Sequence, residues 1–255
     1  MNKLCIICPS VLDLEVYKKH VTSLENLFFN QKTEFKYILH LDEHIRPGVP
    51  SCVPEDYEKL IDHINVKYKN VKAKIVRSKP RIGLTLAMEL LFNEFLNSDS
   101  QQCVVIEDDS EIISKIYTDE FFDLLSDENY GYRLSFGAGH RSSENPFITN
   151  DFLTTSNHSI YENTKNSCHQ NGSFFSRKLA LNFKSGISGE PENFIKHSAA
   201  YSYKKIRTIF TGHDLLYDPS WVNFKGTMKE RWVLPKSSHI LYDGVRFLRR
   251  TGWSS

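Results

Sequence analysis

Glu107, Asp108 and Asp109 are three adjacent carboxylates directly behind the apolar run Cys103-Val-Val-Ile106. Like charges side by side repel, and a divalent cation relieves that repulsion. Hard oxygen ligands suit Mg2+ or Mn2+, which keep waters and take one or two protein carboxylates plus substrate phosphates. A solvated acidic turn explains an isolated triplet equally well, but surface turns do not usually set three acids against a buried strand. The charge distribution has the same polarity. From Asp99 to Tyr130 ten acids oppose Lys115 alone, whereas from Lys196 to Ser255 eleven Lys and Arg oppose four acids. The net charge of +1 hides this split, which fits an acidic cation site facing a basic, anion-binding wall, or two solvated faces.

Other chemistries fail on spacing. Cys5-Ile-Ile-Cys8 has redox spacing but lies inside a predicted strand, where positions three apart face opposite sides. Gly137-Ala-Gly139-His140 lacks the third glycine and the helix of a dinucleotide fingerprint. No glycine-rich phosphate loop with Lys-Ser/Thr and no zinc pattern occurs. The five cysteines are an odd number, and three sit in apolar runs, so free thiols are expected.

The elements that must position the triplet follow from periodicity. Leu4 to Cys8 reads as a buried strand closed by a turn at Pro9-Ser10. Leu14, Tyr17, Val21, Leu24 and Phe28 recur as one helix, and Phe35 to Leu41 is a second strand ending at Asp42. A helix marked by Tyr57, Leu60, Ile61 and Ile64 precedes a strand from Val71 to Arg77. Leu84, Ala87, Met88, Leu91 and Phe95 make an amphipathic helix, and Cys103 to Ile106 is the fourth strand. That alternation predicts an α/β fold with a mostly parallel central sheet and helices on both faces. Ligands of such sheets bind beyond the carboxyl ends of the strands, where Pro9-Ser10, Asp42, Arg77 to Arg81 and the acidic triplet all fall. Beyond the triplet an acidic and aromatic helix is expected around Phe121-Phe122. Tyr132 to Gly137 reads as a strand, Phe147 to Asn171 as polar loop, and Gly172 to Phe183 as a short strand leading into a helix. Glu192 to Tyr203 is predicted as another helix.

With 255 residues, 40% hydrophobic and 25% charged, the chain can bury a core without staples, which excludes disorder and small disulfide scaffolds. No apolar run has the length a bilayer needs, and residues 1–14 lack the order of a secretory signal. A soluble, cytoplasmic protein is expected, without use of the glycan acceptor patterns at Asn157 and Asn171.

The segment Val104-Val-Ile-Glu-Asp-Asp-Ser-Glu-Ile112 resembles the DXD-type region of nucleotide-sugar glycosyltransferases with the GT-A (Rossmann-like) fold, in the EDD form of N-acetylglucosaminyltransferase I-like enzymes. The preceding helix, opening Arg81-Ile-Gly-Leu-Thr-Leu-Ala-Met-Glu89, resembles the corresponding segment of the family 2 glycosyltransferases. The likeness covers roughly the first half of the chain. It implies one GT-A domain over residues 1–255, with 1–112 binding the nucleotide sugar and 113–255 the acceptor. Asp109 is then the direct metal ligand bridging to the donor diphosphate, with Glu107 and Asp108 at the ribose and around the metal. Pro9 and Ser10 match the loop that meets the nucleotide, Asp42 a residue that contacts a uracil base, and Arg81 and Gly83 the approach to ribose and phosphate. Each of these also has an ordinary reading as a cap, a turn acid or a surface ion pair.

The same resemblance implies Mn2+ or Mg2+, a UDP-sugar donor and, for an inverting transfer, a carboxylate base near a helix start in the second half. Gly189-Glu190-Pro191-Glu192-Asn193 is the best match, with Glu192 preferred over Glu190, although a helix start favours acids for dipole reasons alone. Related enzymes carry a late Pro-Ser-Xaa-Val-Xaa-His-Xaa-Gly segment; here Pro219-Ser-Trp-Val-Asn-Phe-Lys-Gly226 has Phe224 at the His position. Asn223, Lys225 or the nearby His213 is the candidate to take its place, and Lys225, Lys229 and Arg231 are candidates to neutralise the diphosphate. From Asn223 to Trp253 seven cations interleave with five aromatic rings, as nucleic-acid contact requires, although Trp and Tyr stack on sugars as well. A compact transferase of this kind resembles bacteriophage enzymes that glycosylate hydroxymethylated pyrimidines in double-stranded DNA, acting in the host cytoplasm. A cell-surface or lipid-linked glycan is the competing acceptor. A nucleotidyltransferase and a catalytically silent nucleotide- or sugar-binding module are the competing functions.

Overall fold

The computed structural model describes residues 1–29, 32–45, 50–112, 115–127, 129–134, 148–163, 172–181, 205–211 and 245–247. Its first half alternates strand and helix: β1 (Asn2–Leu12), α1 (Leu14–Ser23), α2 (Glu25–Phe28), β2 (Thr33–Ile45), α3 (Pro54–Lys67), β3 (Val71–Ser78), α4 (Gly83–Leu96) and β4 (Gln102–Val105). The predicted first helix breaks at Leu24 into α1 and the short α2. The central sheet has the order β3-β2-β1-β4-β9, where β9 is Phe174–Ser176. The first four strands are parallel and β9 runs antiparallel to β4.

Alternation along β1 divides the core. Leu4, Ile6 and Cys8 point into a cluster with Tyr17, Val21, Tyr57 and Ile61 of α1 and α3. Cys5 and Ile7 point the other way, into a cluster with Met88, Leu91, Phe92 and Phe95 of α4. Each such fully buried apolar side chain contributes about 1.5–3 kcal/mol. The two cysteines of Cys5-Ile-Ile-Cys8 therefore face opposite sides of the sheet. Cys5, Cys8 and Cys103 are free and buried; Cys52 is free and half-buried. Burial pushes the Cys5 thiol up to about 12 and Cys103 well above the ordinary range, so neither is a nucleophile.

Pro9-Ser10 does not close the first strand, as the sequence suggested; β1 continues through it to Leu12. Lys3 and Ile7 turn their carbonyls toward the β4 side, accepting from Gln101 N at 3.1 Å and Ile106 N at 3.0 Å. Pro9 is in the same phase, and β4 ends at Val105, so its missing N–H faces a side that the ladder has already left.

After β4 the chain forms β5 (Ser110–Ile112) and two 3-10 turns, Thr118–Glu120 and Phe122–Ser126, in place of the expected helix. β6 (Tyr130–Leu134), β7 (Ile148–Thr154), β8 (His158–Asn163) and β10 (Lys205–Thr211) build a second sheet in the order β6-β10-β8-β7. The expected polar loop from Phe147 to Asn171 thus contains a hairpin, β7–β8. Its polar residues disguised it: His158 is fully buried, with Nε2 accepting from Tyr117 N at 2.9 Å, and Ile160, two residues on, is buried as well. Glu120 braces the hairpin turn through Thr155 Oγ1 and Asn157 N. The sequence-predicted strand leading into a helix is β9 followed by α5 (Arg177–Leu181). The two sheets are stitched where Val105 N donates to Ser173 O at 3.1 Å and Leu134 N to Gly172 O at 2.9 Å. A last strand, β11 (Val245–Phe247), pairs antiparallel with β5. The expected helix from Glu192 to Tyr203 lies outside the described residues. Among the described residues no helix is long and apolar enough to cross a membrane.

Candidate functional site at the end of the fourth strand

Beyond Ile106 the chain folds back at once. Ser110 N donates to Glu107 O at 2.9 Å, which closes a β-turn whose central residues are Asp108 and Asp109. Asp108 points inward and is 1% exposed. Its Oδ2 accepts from Ser10 Oγ at 2.8 Å and from Val11 N at 3.3 Å, bolting the end of β1 to the end of β4. Val11 N is in the phase that faces the β4 side, so strand geometry aims it there. Tyr57 of α3 secures the same stretch: its hydroxyl donates to Val11 O at 3.1 Å and accepts from Asp13 N at 2.6 Å. Burial raises the Tyr57 phenol, which stays a donor. Glu107 and Asp109, on either side of Asp108, are half-buried.

A second polar group lies on the α4 side of the sheet. Asp42 is 4% exposed, and its Oδ2 accepts from Gly83 N at 3.0 Å, which ties the start of α4 to the end of β2. Gly83 enters the helix at φ +78, a conformation that glycine adopts without the penalty of a side chain. Asp42 Oδ1, both ring nitrogens of His40 and Ser78 Oγ are buried without a partner among the described residues. Ser78 is the register partner of Asp42 on β3, and His40 lies two residues earlier on the same face of β2. Burial lowers the His40 pKa against the opposing pull of Asp42, which favours the neutral ring. Buried polar atoms of this kind each cost about 1–3 kcal/mol unless water or a ligand satisfies them.

The sequence-predicted residues therefore fall into three groups. Ser10, Glu107, Asp108 and Asp109 meet at the carboxylate turn, with Pro9 buried on the neighbouring strand. Asp42 and Gly83 meet at the second cluster, and Arg81 is exposed just ahead of α4. Glu190, Glu192, His213, Lys225 and Arg231 lie outside the described residues. The C-terminal segment nevertheless returns to the turn: β11 places Phe247 opposite Ser110 and Arg246 opposite Glu111.

Among the described residues no three His, Cys, Asp or Glu side chains form a ready-made metal cage. The donor chemistry still fits Mg2+ or Mn2+, because a cation shared with substrate phosphates needs only one or two protein carboxylates. Glu107 and Asp109 would supply that number.

His40, Tyr57 and Ser78 escaped the sequence reading. His40 and Ser78 could have been found by counting in twos from Asp42 and along β3. Tyr57 was recognised only as an apolar helix position, since nothing in a sequence says that its hydroxyl reaches a strand end.

No protein-family model matches the chain, and no characterised protein matches it by sequence. Solved structures do match in shape. Residues 1–349 of TarS from S. aureus align with a TM-score of 0.56 at 12% identity, over 81% of this chain and 57% of that one. GalNAc-T7 with UDP, GalNAc and Mn2+ gives 0.54 at 14% identity, over 84% of this chain and 44% of the other. The mannosyltransferase PcManGT from Pyrobaculum calidifontis, in complex with GDP-Man and Mn2+, gives 0.51 at 8%, over 80% and 56%. The chain thus spans about half the length of the structures it resembles. Its central, mostly parallel sheet, flanked by helices and joined to a second small sheet, is the GT-A fold of glycosyltransferases.

Proposed function

We propose that the chain transfers a sugar from a nucleotide-sugar donor, a UDP-sugar in the first instance, to an acceptor hydroxyl with Mn2+ or Mg2+. The observation that carries this reading is the carboxylate turn at the end of β4, bolted to β1 through Ser10 and Asp108, in a GT-A fold. The mannosyltransferase and GalNAc-T7 structures hold nucleotides or nucleotide sugars together with Mn2+, which supports the donor class. Residues 1–112 form the donor half in this reading and 113–255 the acceptor half.

Asp109 and Glu107 would hold the cation beside the diphosphate, and Asp108 keeps the turn in place through β1. Asp42, His40 and Ser78 offer buried hydrogen-bonding atoms that suit a nucleobase edge, with Pro9 the register partner of His40 and Gly83 bonded to Asp42, and Arg81 would meet ribose and phosphate. A bound cation supplies charge stabilisation for the departing diphosphate. Lys225, Arg231 and His213 would add to that stabilisation from the late segment. Glu192, or Glu190, would take the proton from the acceptor hydroxyl in an inverting transfer.

The basic, aromatic stretch from Asn223 to Trp253 supports a polyanionic acceptor, and hydroxymethylated pyrimidines in double-stranded DNA are the acceptor we propose, with a site of action in the cytoplasm. A screen of nucleotide sugars with Mn2+, read as slow hydrolysis, identifies the donor. Labelled donor is then offered to hydroxymethylcytosine DNA and to glycans. Label on DNA supports the acceptor proposed; label on glycan alone replaces it. Asp109→Ala should abolish turnover and keep the fold, and retained turnover removes Asp109 from the mechanism. Thermal stabilisation by a nucleotide without any metal dependence would favour a silent binding module instead.

A further inference from the structure

We propose that His20 is a positioning residue for the carboxylate turn, acting through the backbone of Ser110; this rests on the donor-site reading above. His20 lies on α1, ten residues beyond Ser10, and is completely buried. Its Nδ1 is 2.7 Å from Ser110 O. A carbonyl can only accept, so Nδ1 carries the proton, and in the neutral ring Nε2 is then an acceptor. Tyr37 Oη lies 3.2 Å from Nε2, and Tyr17 Oη lies 3.2 Å from Tyr37 Oη. Burial holds both phenols well above their ordinary pKa, so both remain O–H donors. In the neutral ring Nδ1 donates to Ser110 O, and Nε2 accepts from Tyr37 Oη, with Cys8 Sγ 3.8 Å from the same nitrogen. Tyr37 at Nε2 suits the tautomer that the Ser110 carbonyl demands at Nδ1.

The grip falls on a sensitive residue. Ser110 closes the turn with its N–H on Glu107 O, and His20 takes the carbonyl of the same residue, immediately after Asp109. Two further side chains on α1 and α2, at helical spacing from His20, hold the next peptides. Ser23 Oγ accepts from Ile112 N at 3.0 Å, and Asn26 Nδ2 donates to Ile112 O at 2.7 Å. Ser10 fixes the turn at Asp108 and His20 fixes it at Ser110, so Asp109 lies between two anchors on different elements. Displacement of Ser110 would shift the closing end of the turn that carries Asp109.

The test uses three variants of the whole chain. His20→Leu removes the donor. His20→Asn places an amide N–H where Nδ1 stood, and His20→Gln places one where Nε2 stood. Binding of Mn2+ with UDP is read by loss of the free Mn2+ electron paramagnetic resonance signal, and exchange of the Ser110 amide by hydrogen–deuterium mass spectrometry. Outer-shell partners typically contribute 10–100-fold to metal affinity, so His20→Leu should weaken Mn2+ binding at least about 10-fold and speed Ser110 exchange. His20→Asn should lose less than about 10-fold against the parent chain, since it retains the Ser110 contact. Should His20→Leu not fold, His20→Asn against His20→Gln decides: tight binding by the first and weak binding by the second supports the role. Equal binding by all folded variants overturns the positioning role while leaving the donor site intact. A parent chain that does not bind Mn2+ with any nucleotide overturns the donor-site reading, and with it the role of His20.

Discussion

Replacing Ser10 with alanine removes one oxygen from the bolt between β1 and β4 and leaves the strand backbone unchanged. Ser10 Oγ lies 2.8 Å from Asp108 Oδ2 and 3.1 Å from Val11 O, and its single proton goes to the nearer, charged acceptor. Both residues are buried, at 5% and 1% exposure, so water does not readily replace the lost bond. A hydrogen bond to a charged group contributes about 1.5–3 kcal/mol. The remaining contact from Val11 N is longer, at 3.3 Å, and compensates little. The expected loss is about 2 kcal/mol, or roughly 30-fold in the folding equilibrium. For a chain of this size that lowers Tm by about 4–8 °C. Urea denaturation and thermal melting measure it, and a double-mutant cycle with Asp108→Asn assigns the loss to the pair. A change below about 0.5 kcal/mol, the range of ordinary surface substitutions, or a coupling energy near zero, refutes the bolt.

Gly83→Ala should cost about 1–2 kcal/mol because φ +78 penalises any Cβ although none would clash there, and chemical denaturation reads it. His40, with its pKa lowered by burial, should make stability rise with pH: the unfolded chain binds a proton that the folded ring refuses, so stability is complete above the ordinary histidine pKa and falls as pH drops through it. The slope approaches about 1.4 kcal/mol per pH unit for one such group, and His40→Asn should flatten denaturation midpoints measured between pH 5 and 8. Cys5 and Cys103 should resist iodoacetamide in the native state and react once urea unfolds the chain, as peptide mass spectrometry would show; rapid native labelling contradicts their burial.

The parallel half of the fold was legible because its strands are short apolar runs and its helices carry strong periodicity. Leu4 to Ile7 and Val104 to Ile106 could hardly be anything but buried strand, and the acids behind them had to fall at a strand end. The second sheet was not legible for a physical reason. His158 and Arg207 are buried polar residues inside strands, Arg207 lying against the Tyr130 ring and donating to Tyr132 Oη at 2.9 Å, and such residues read as surface. At the site, residue types showed which carboxylates could meet a cation. They could not show that Asp108 would be spent on Ser10, or that His20, from a helix far away in sequence, would hold the neighbouring carbonyl. Those contacts depend on strand phase and helix rotation, which a linear pattern leaves undetermined.

The antiparallel pairing of β11 with β5 joins positions separated by more than half of the chain. Closing so long a loop costs entropy before any contact repays it. The first four strands have shorter-range partners and can zip together while that edge of β5 still waits. During synthesis the inner anchors of the carboxylate turn are therefore available before its outer neighbour has been made. A ribosome-bound nascent chain halted before Val245 would carry the acids without the strand that flanks them.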